Sequence, residues 1–133
     1  MDVLDSRRIL IVAHKSVATP ALVETVRRRT EAGPCTFALL IPDANNQVAA
    51  AWTLRRARRM LSKTIGAPVD GIVAEGEDAY AGIAAALRVA EYDEIMLSIL
   101  SGPGSGWLHE DLPARVEALG IPLTVVMADA VTT

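Results

Sequence analysis

The sequence has little of what most metal, redox and nucleic-acid proteins depend on. A single cysteine, Cys35, leaves no internal disulfide framework and suits a reducing compartment. Two histidines and that one cysteine lie scattered, so no metal-ligand cluster is spelled out. Aromatic residues make up only 4% of the chain, and Trp52 and Trp107 stand far apart, which leaves no base-stacking platform. Basic residues are outnumbered, 13 against 16 acidic, and the formal charge of −3 argues against a general nucleic-acid binder. No run reaches the roughly 18 to 20 apolar residues of a membrane span. The start, "MDVLDSRRIL", is acidic before it is basic and does not read as a signal peptide. The expectation is a soluble, cytoplasmic protein away from membranes.

What is present is apolar and regularly arranged. The 133 residues are 51% hydrophobic, enough for one substantial core and one domain spanning 1–133. "RRILIVAH" (7–14), "TFALLIP" (36–42), "VDGIVAE" (69–75), "EIMLSIL" (94–100) and "PLTVVMA" (122–128) are short apolar runs of the kind found in strands buried on both faces. Helices fill the gaps. Thr19-Pro20 supplies an N-cap and a proline at the first helical position, and the helix should run to Ala32 before Gly33-Pro34. A long helix is predicted from Asn46 to Ile65, with Ala50, Leu54, Ala57, Leu61 and Ile65 on one face and Arg55, Arg58 and Arg59 towards water. Another follows "GED", with Tyr80, Ile83, Leu87 and Ala90 on its buried side and Gly82 marking a close approach. A short helix is predicted after Asp111 as its cap, burying Leu112, Val116 and Leu119. Five strands alternating with four helices imply right-handed crossovers and an α/β, three-layer α/β/α fold around an open parallel sheet.

Such sheets bind ligands outside the carboxyl ends of their strands, where the strand order reverses. After the first strand come His14, Lys15 and Ser16; after the fourth come Ser101, Gly102, Pro103, Gly104, Ser105 and Gly106. Glycines let backbone amides approach a phosphate, and a helix start adds partial positive charge. Here Glu110 and Asp111 occupy that start, where they would satisfy the amides and repel an anion. The loop is neither a P-loop nor a dinucleotide fingerprint. It is read first as a turn, with Trp107 either covering a ligand or plugging the site.

The remaining candidates have plain readings beside the chemical ones. His14 has the reference pKa of a general base, about 6.5, but no serine or cysteine partner is fixed beside it. Lys15 and His109 read as solvated, and Cys35 as a buried, inert thiol. The arginine runs at 27–29 and 55–59 read as solvated helix faces.

Taken together, several of these pieces resemble universal stress protein domains. "RILIVAHKS" is similar to their opening R-I-L-V-A-x-D-x-S, "GEDAYAGIAAALRVAEYDEIMLS" to their G-x-P-x-x-x-I-x-x-x-A segment before D-x-I-V-M-G, and "GIPLTVV" to their closing C-P-V-L-V-V. "SGWLHEDLPARV" resembles a small divergent branch with S-R-W-L-x-x-D-L-P-x-R. The resemblance implies a Rossmann-like sheet with strand order 3-2-1-4-5. It implies a stress-response role and a homodimer formed along the edge of strand five, through Leu123, Val125 and Met127.

In the family's ATP-binding subgroup, G-x-x-G-x(9)-G-[ST] follows strand four. Here its first glycine falls on Ser98, its second near Ser101, and its final pair on His109-Glu110. The subgroup's strand-one aspartate falls on His14. ATP is therefore not expected as a firm cofactor. If a nucleotide binds, His14, Ser101, Gly102, Gly104, Ser105 and Gly106 are the expected contacts. Three functions follow: a non-catalytic regulatory homodimer, a nucleotide-binding protein using the glycine loop, or a small hydrolase using His14.

Overall fold

In the computed structural model, residues 7–13, 19–44, 47–75, 78–100 and 111–128 are described. The chain runs β1 (Arg7–Val12), α1 (Pro20–Ala32), β2 (Cys35–Ala44), α2 (Gln47–Ile65), β3 (Asp70–Glu75), α3 (Ala79–Val89), β4 (Glu94–Leu100), α4 (Leu112–Glu117) and β5 (Leu123–Ala128). All strand pairings are parallel and the order is β3-β2-β1-β4-β5. Both the alternation and the order match the expectation.

The apolar runs of β2, β1 and β4 form the central strands because helices cover both their faces. Ile9, Ile11 and Ala13 of β1 pack with Leu22 and Val26 of α1 and Ala57 and Leu61 of α2. Leu10 and Val12 pack on the other side with Ile83 and Ala86 of α3 and Leu112 and Val116 of α4. Residues 9–13 are completely buried, whereas Arg7 and Arg8 are exposed where the strand enters the sheet. A continuous apolar run is thus what a two-sided burial demands.

The helix boundaries follow local chemistry. Thr19 lies in extended backbone, and its Oγ1 accepts from the Leu22 amide at 3.5 Å, with Pro20 at the first helical position. Asp78 caps α3 by accepting from the Tyr80 amide at 3.0 Å. Gly66, at φ +80°, ends α2, and its amide donates to the Ser62 carbonyl at 2.8 Å.

Four details differ from the sequence reading. β2 runs to Ala44, past Pro42, because the ladder shifts register between Ile41 and Ala44. A bulge is how a strand accommodates a residue without an N–H. The buried stripe of α3 is Ala79, Gly82, Ile83 and Ala86, while Tyr80 and Leu87 are half-buried and Ala90 is the cap. Tyr80 and Leu87 still pack against the same core, at its margin. Arg58 does not simply point to water: its Nε donates to the Val69 carbonyl at 2.7 Å. Asp111 stands at the cap position of α4 in left-handed backbone, φ 59° and ψ 38°, with no side-chain bond to the helix amides. Capping needs an extended backbone that aims the carboxylate at the N2 or N3 amide, and the left-handed conformation does not supply it.

Candidate functional site

The order β3-β2-β1-β4-β5 fixes where the sheet reverses direction. The chain leaves β1 by α1 on one face and leaves β4 by α4 on the other. The crevice at the carboxyl ends of β1 and β4 is therefore the ligand position characteristic of this architecture.

The described residues at these strand ends are small and partly polar. Val12 pairs with Leu97, so Ala13 and Ser98 follow as the next residues of the two strands. The Ala13 amide donates to the Leu40 carbonyl at 3.2 Å, which continues the β1–β2 ladder one step beyond the strand. Strand alternation puts Ser98 on the face of Met96, which is the α1/α2 side. Thr19 and Ser98, 4% and 0% exposed, are the buried polar residues of the described chain. Both belong to the switch region, one starting α1 and the other near the end of β4. In the sequence Ser98 stands only where the family's ATP-binding subgroup has a glycine. Its burial beside the crevice was signalled by one polar residue inside an otherwise apolar run.

The residues named for nucleotide contact, His14, Ser101, Gly102, Gly104, Ser105 and Gly106, lie outside the described residues. Lys15, Trp107, His109 and Glu110 lie outside them as well. At the start of α4, Asp111 leaves the helix amides without its side chain. The capping half of the expected anion barrier is thus absent at this residue. Among the described residues, no group of three His, Cys, Asp or Glu side chains is arranged to hold a metal ion. No helix there is long and apolar enough to cross a membrane.

The second candidate site is β5. Among the described residues it is an edge strand, paired only with β4 on its inner side. Leu123, Val125 and Met127 alternate onto one face of the sheet. Leu123 is half-buried against the α3/α4 core. Val125 and Met127 continue that line but are 41% and 47% exposed. The edge expected from sequence therefore carries two uncovered apolar side chains and one that anchors the strand.

Cys35, at the start of β2, is half-buried, and burial raises its thiol pKa above the ordinary value, with the Arg29 charge acting against it. This is the environment of a slow thiol rather than a nucleophile.

No protein-family model matches the chain, and no curated protein matches it in sequence. Among solved structures, it resembles a universal stress protein from Archaeoglobus fulgidus with TM-score 0.60 and 15% identity, over 90% of this chain and 93% of that one. A lipopolysaccharide core biosynthesis protein from Thermoplasma volcanium GSS1 matches with TM-score 0.45 and 12% identity, over 95% and 98% of the two chains. The sheet order, the helices on both faces and the first of these likenesses together give this chain the universal stress protein fold.

Proposed function

We propose that the protein is a non-catalytic regulatory module of the universal stress type that acts as a homodimer through β5, in the cytoplasm. The observation that carries this reading is the exposed apolar pair Val125 and Met127 on an edge strand with no charged side chain. Unpaired edge N–H and C=O groups beside apolar side chains invite a second strand, and a lysine there discourages it. Light scattering on the full chain tests the reading. The expected result is a dimer that Val125→Lys converts to monomer with the fold intact; a dimer untouched by that substitution rejects β5 as the interface.

A second reading is favoured by the position of the switch point, which lies where the glycine loop leaves β4. In it, Gly102, Gly104 and Gly106 with His14 bind a nucleotide. Calorimetry with ATP, ADP and AMP plus magnesium decides between the two. Binding tighter than about 100 μM, equivalent to about 5.5 kcal/mol, and lost in Gly104→Asp favours the nucleotide. Turnover abolished by His14→Ala would instead favour a hydrolase.

A further inference from the structure

The outward face of α2 carries a charge pattern that the fold does not use. The helix holds Arg55, Arg56, Arg58, Arg59 and Lys63 and not one aspartate or glutamate. The remainder of the chain has eight basic residues against 16 acidic. The other arginine run is neutralised where it stands: Arg27 pairs with Glu24 and Glu31, Arg28 with Glu24, and Arg29 with Glu94. Of the α2 cations, Arg58 is engaged with the Val69 carbonyl. Arg55, Arg56, Arg59 and Lys63 are exposed and enter no ion pair among the described residues.

The same face is apolar at its amino-terminal end. Val48 and Trp52 are 72% and 60% exposed, and with Ala51 and Arg55 they border an open depression. The Arg55 guanidinium stands 5.6 Å from the centre of the Trp52 ring, which holds the indole against a cation. Residues 48, 52, 55 and 59 recur at steps of four and three and so form one stripe, with Arg56 and Lys63 beside it. From Val48 to Lys63 the stripe is about 22 Å long at helical rise.

We propose that this face is a docking site for an acidic polypeptide segment that also carries apolar side chains. The apolar residues of the segment would cover Val48, Ala51 and Trp52, and its carboxylates would meet Arg55, Arg56, Arg59 and Lys63. Tryptophan and arginine around an apolar centre are the composition of energetic anchors in protein interfaces. A nucleic acid would engage the cations but give Val48 and Ala51 nothing to bury, and the acidic remainder of the chain opposes a long polyanion. A bilayer would require the main apolar side of the helix, but Ala57 and Leu61 are already buried against the sheet. The site is independent of the β5 interface, since α2 packs on β2 and β3 at the other end of the sheet.

The test uses the full chain and a labelled peptide with glutamates on one helical side and leucines and phenylalanines on the other. Its comparators are a version with serine at the apolar positions, a labelled single-stranded oligonucleotide, and phosphatidylserine vesicles. The apolar acidic peptide should bind, and more weakly as salt is raised. Its affinity should fall about tenfold or more in Trp52→Ala and in the neutralised triple variant Arg56→Gln, Arg59→Gln, Lys63→Gln. The serine version should bind about tenfold more weakly still than the apolar peptide does to the unmodified chain. All four substituted positions are exposed, and circular dichroism and light scattering will show fold and oligomeric state unchanged. No peptide binding, binding indifferent to both variants, or tighter binding of the oligonucleotide or the vesicles would overturn the proposal.

Discussion

The guanidinium of Arg29 grips the carboxylate of Glu94 with two bonds, Nε to Oε1 at 3.0 Å and Nη2 to Oε2 at 2.5 Å. The pair ties the last turn of α1 to the first residue of β4, at the end of the sheet opposite the crevice. Their side chains are 22% and 19% exposed, so the contact is shielded from most of the solvent. The bonds from Arg29 hold the Glu94 carboxyl below its ordinary 4.5, with burial acting the other way. A depressed folded-state pKa favours folding above the unfolded value, and this contribution is lost as pH falls through the folded value. Glu94→Gln should therefore lower stability by about 1–3 kcal/mol at pH 7, and the gap should close under strongly acidic conditions. Urea unfolding of both proteins at neutral and acid pH measures it; a gap of equal size at both would show that the ion pair contributes nothing.

Cys35 lies beside this pair, with its Sγ 4.0 Å from the Arg29 carbonyl oxygen. Burial raises its pKa, which lowers the thiolate fraction at neutral pH. Alkylation of the native protein at pH 7 should be slower than that of the urea-unfolded chain. Equal rates in the two states would mean that the thiol is not protected.

Two helix starts that look alike in sequence respond differently to substitution. Thr19 is a buried cap with its hydroxyl on the Leu22 amide, so Thr19→Ala should cost about 1–2 kcal/mol. Asp111 makes no such bond and stands at positive φ, where glycine is at ease. Asp111→Gly should leave stability unchanged or raise it by up to about 1 kcal/mol. Thermal unfolding of the two variants compares them, and a clear loss in Asp111→Gly would show that its carboxylate stabilises α4 after all.

The contrast between Thr19 and Asp111 marks what could be read in advance. Residue type alone identified both as helix-start candidates, and the strands were legible because runs such as Ile9–Ala13 have no other way to escape water on both faces. Neither the burial of Thr19 nor the left-handed backbone at Asp111 is written in a local sequence pattern. In α3 the periodicity put Tyr80, Ile83 and Leu87 on the core side and all three pack there, but the fully buried line also takes in the small residues Ala79, Gly82 and Ala86, which periodicity of large side chains does not reveal. The neutralised run at Arg27–Arg29 and the unneutralised one at Arg55–Arg59 look equivalent as strings. They differ because Glu24 and Glu31 are one turn away from the first, whereas α2 contains no acid at all. That difference is written in the sequence as the acid count of each helix, two in α1 and none in α2. The crevice was legible in location, through the reversal of strand order, but the chemistry of its glycine loop was not.

Gly71 of β3 shows how tightly α2 is seated on the sheet edge. A β-carbon built there would stand 2.7 Å from Cδ of Arg58 and 2.9 Å from Cδ2 of Leu54. Leu54 Cδ2 is the end of a flexible side chain, but Arg58 Cδ lies mid-stem beside the Nε held on Val69, so a methyl group can be accommodated only by moving that stem. A branched side chain cannot, because Leu54 also packs with Ile41 and Val73. Gly71→Val should push the Arg58 stem off the strand, break its bond to the Val69 carbonyl, and cost about 1–3 kcal/mol. Gly71→Ala should cost less. Strand propensity acts in the opposite direction, since valine is the better strand residue by up to about 1 kcal/mol. Denaturant unfolding decides which effect wins: a Gly71→Val protein as stable as the parent would mean that α2 is not held close to β3 at this point. If the variant is destabilised, adding Arg58→Ala should recover part of the loss, because the two substitutions act on one contact and their effects should not add.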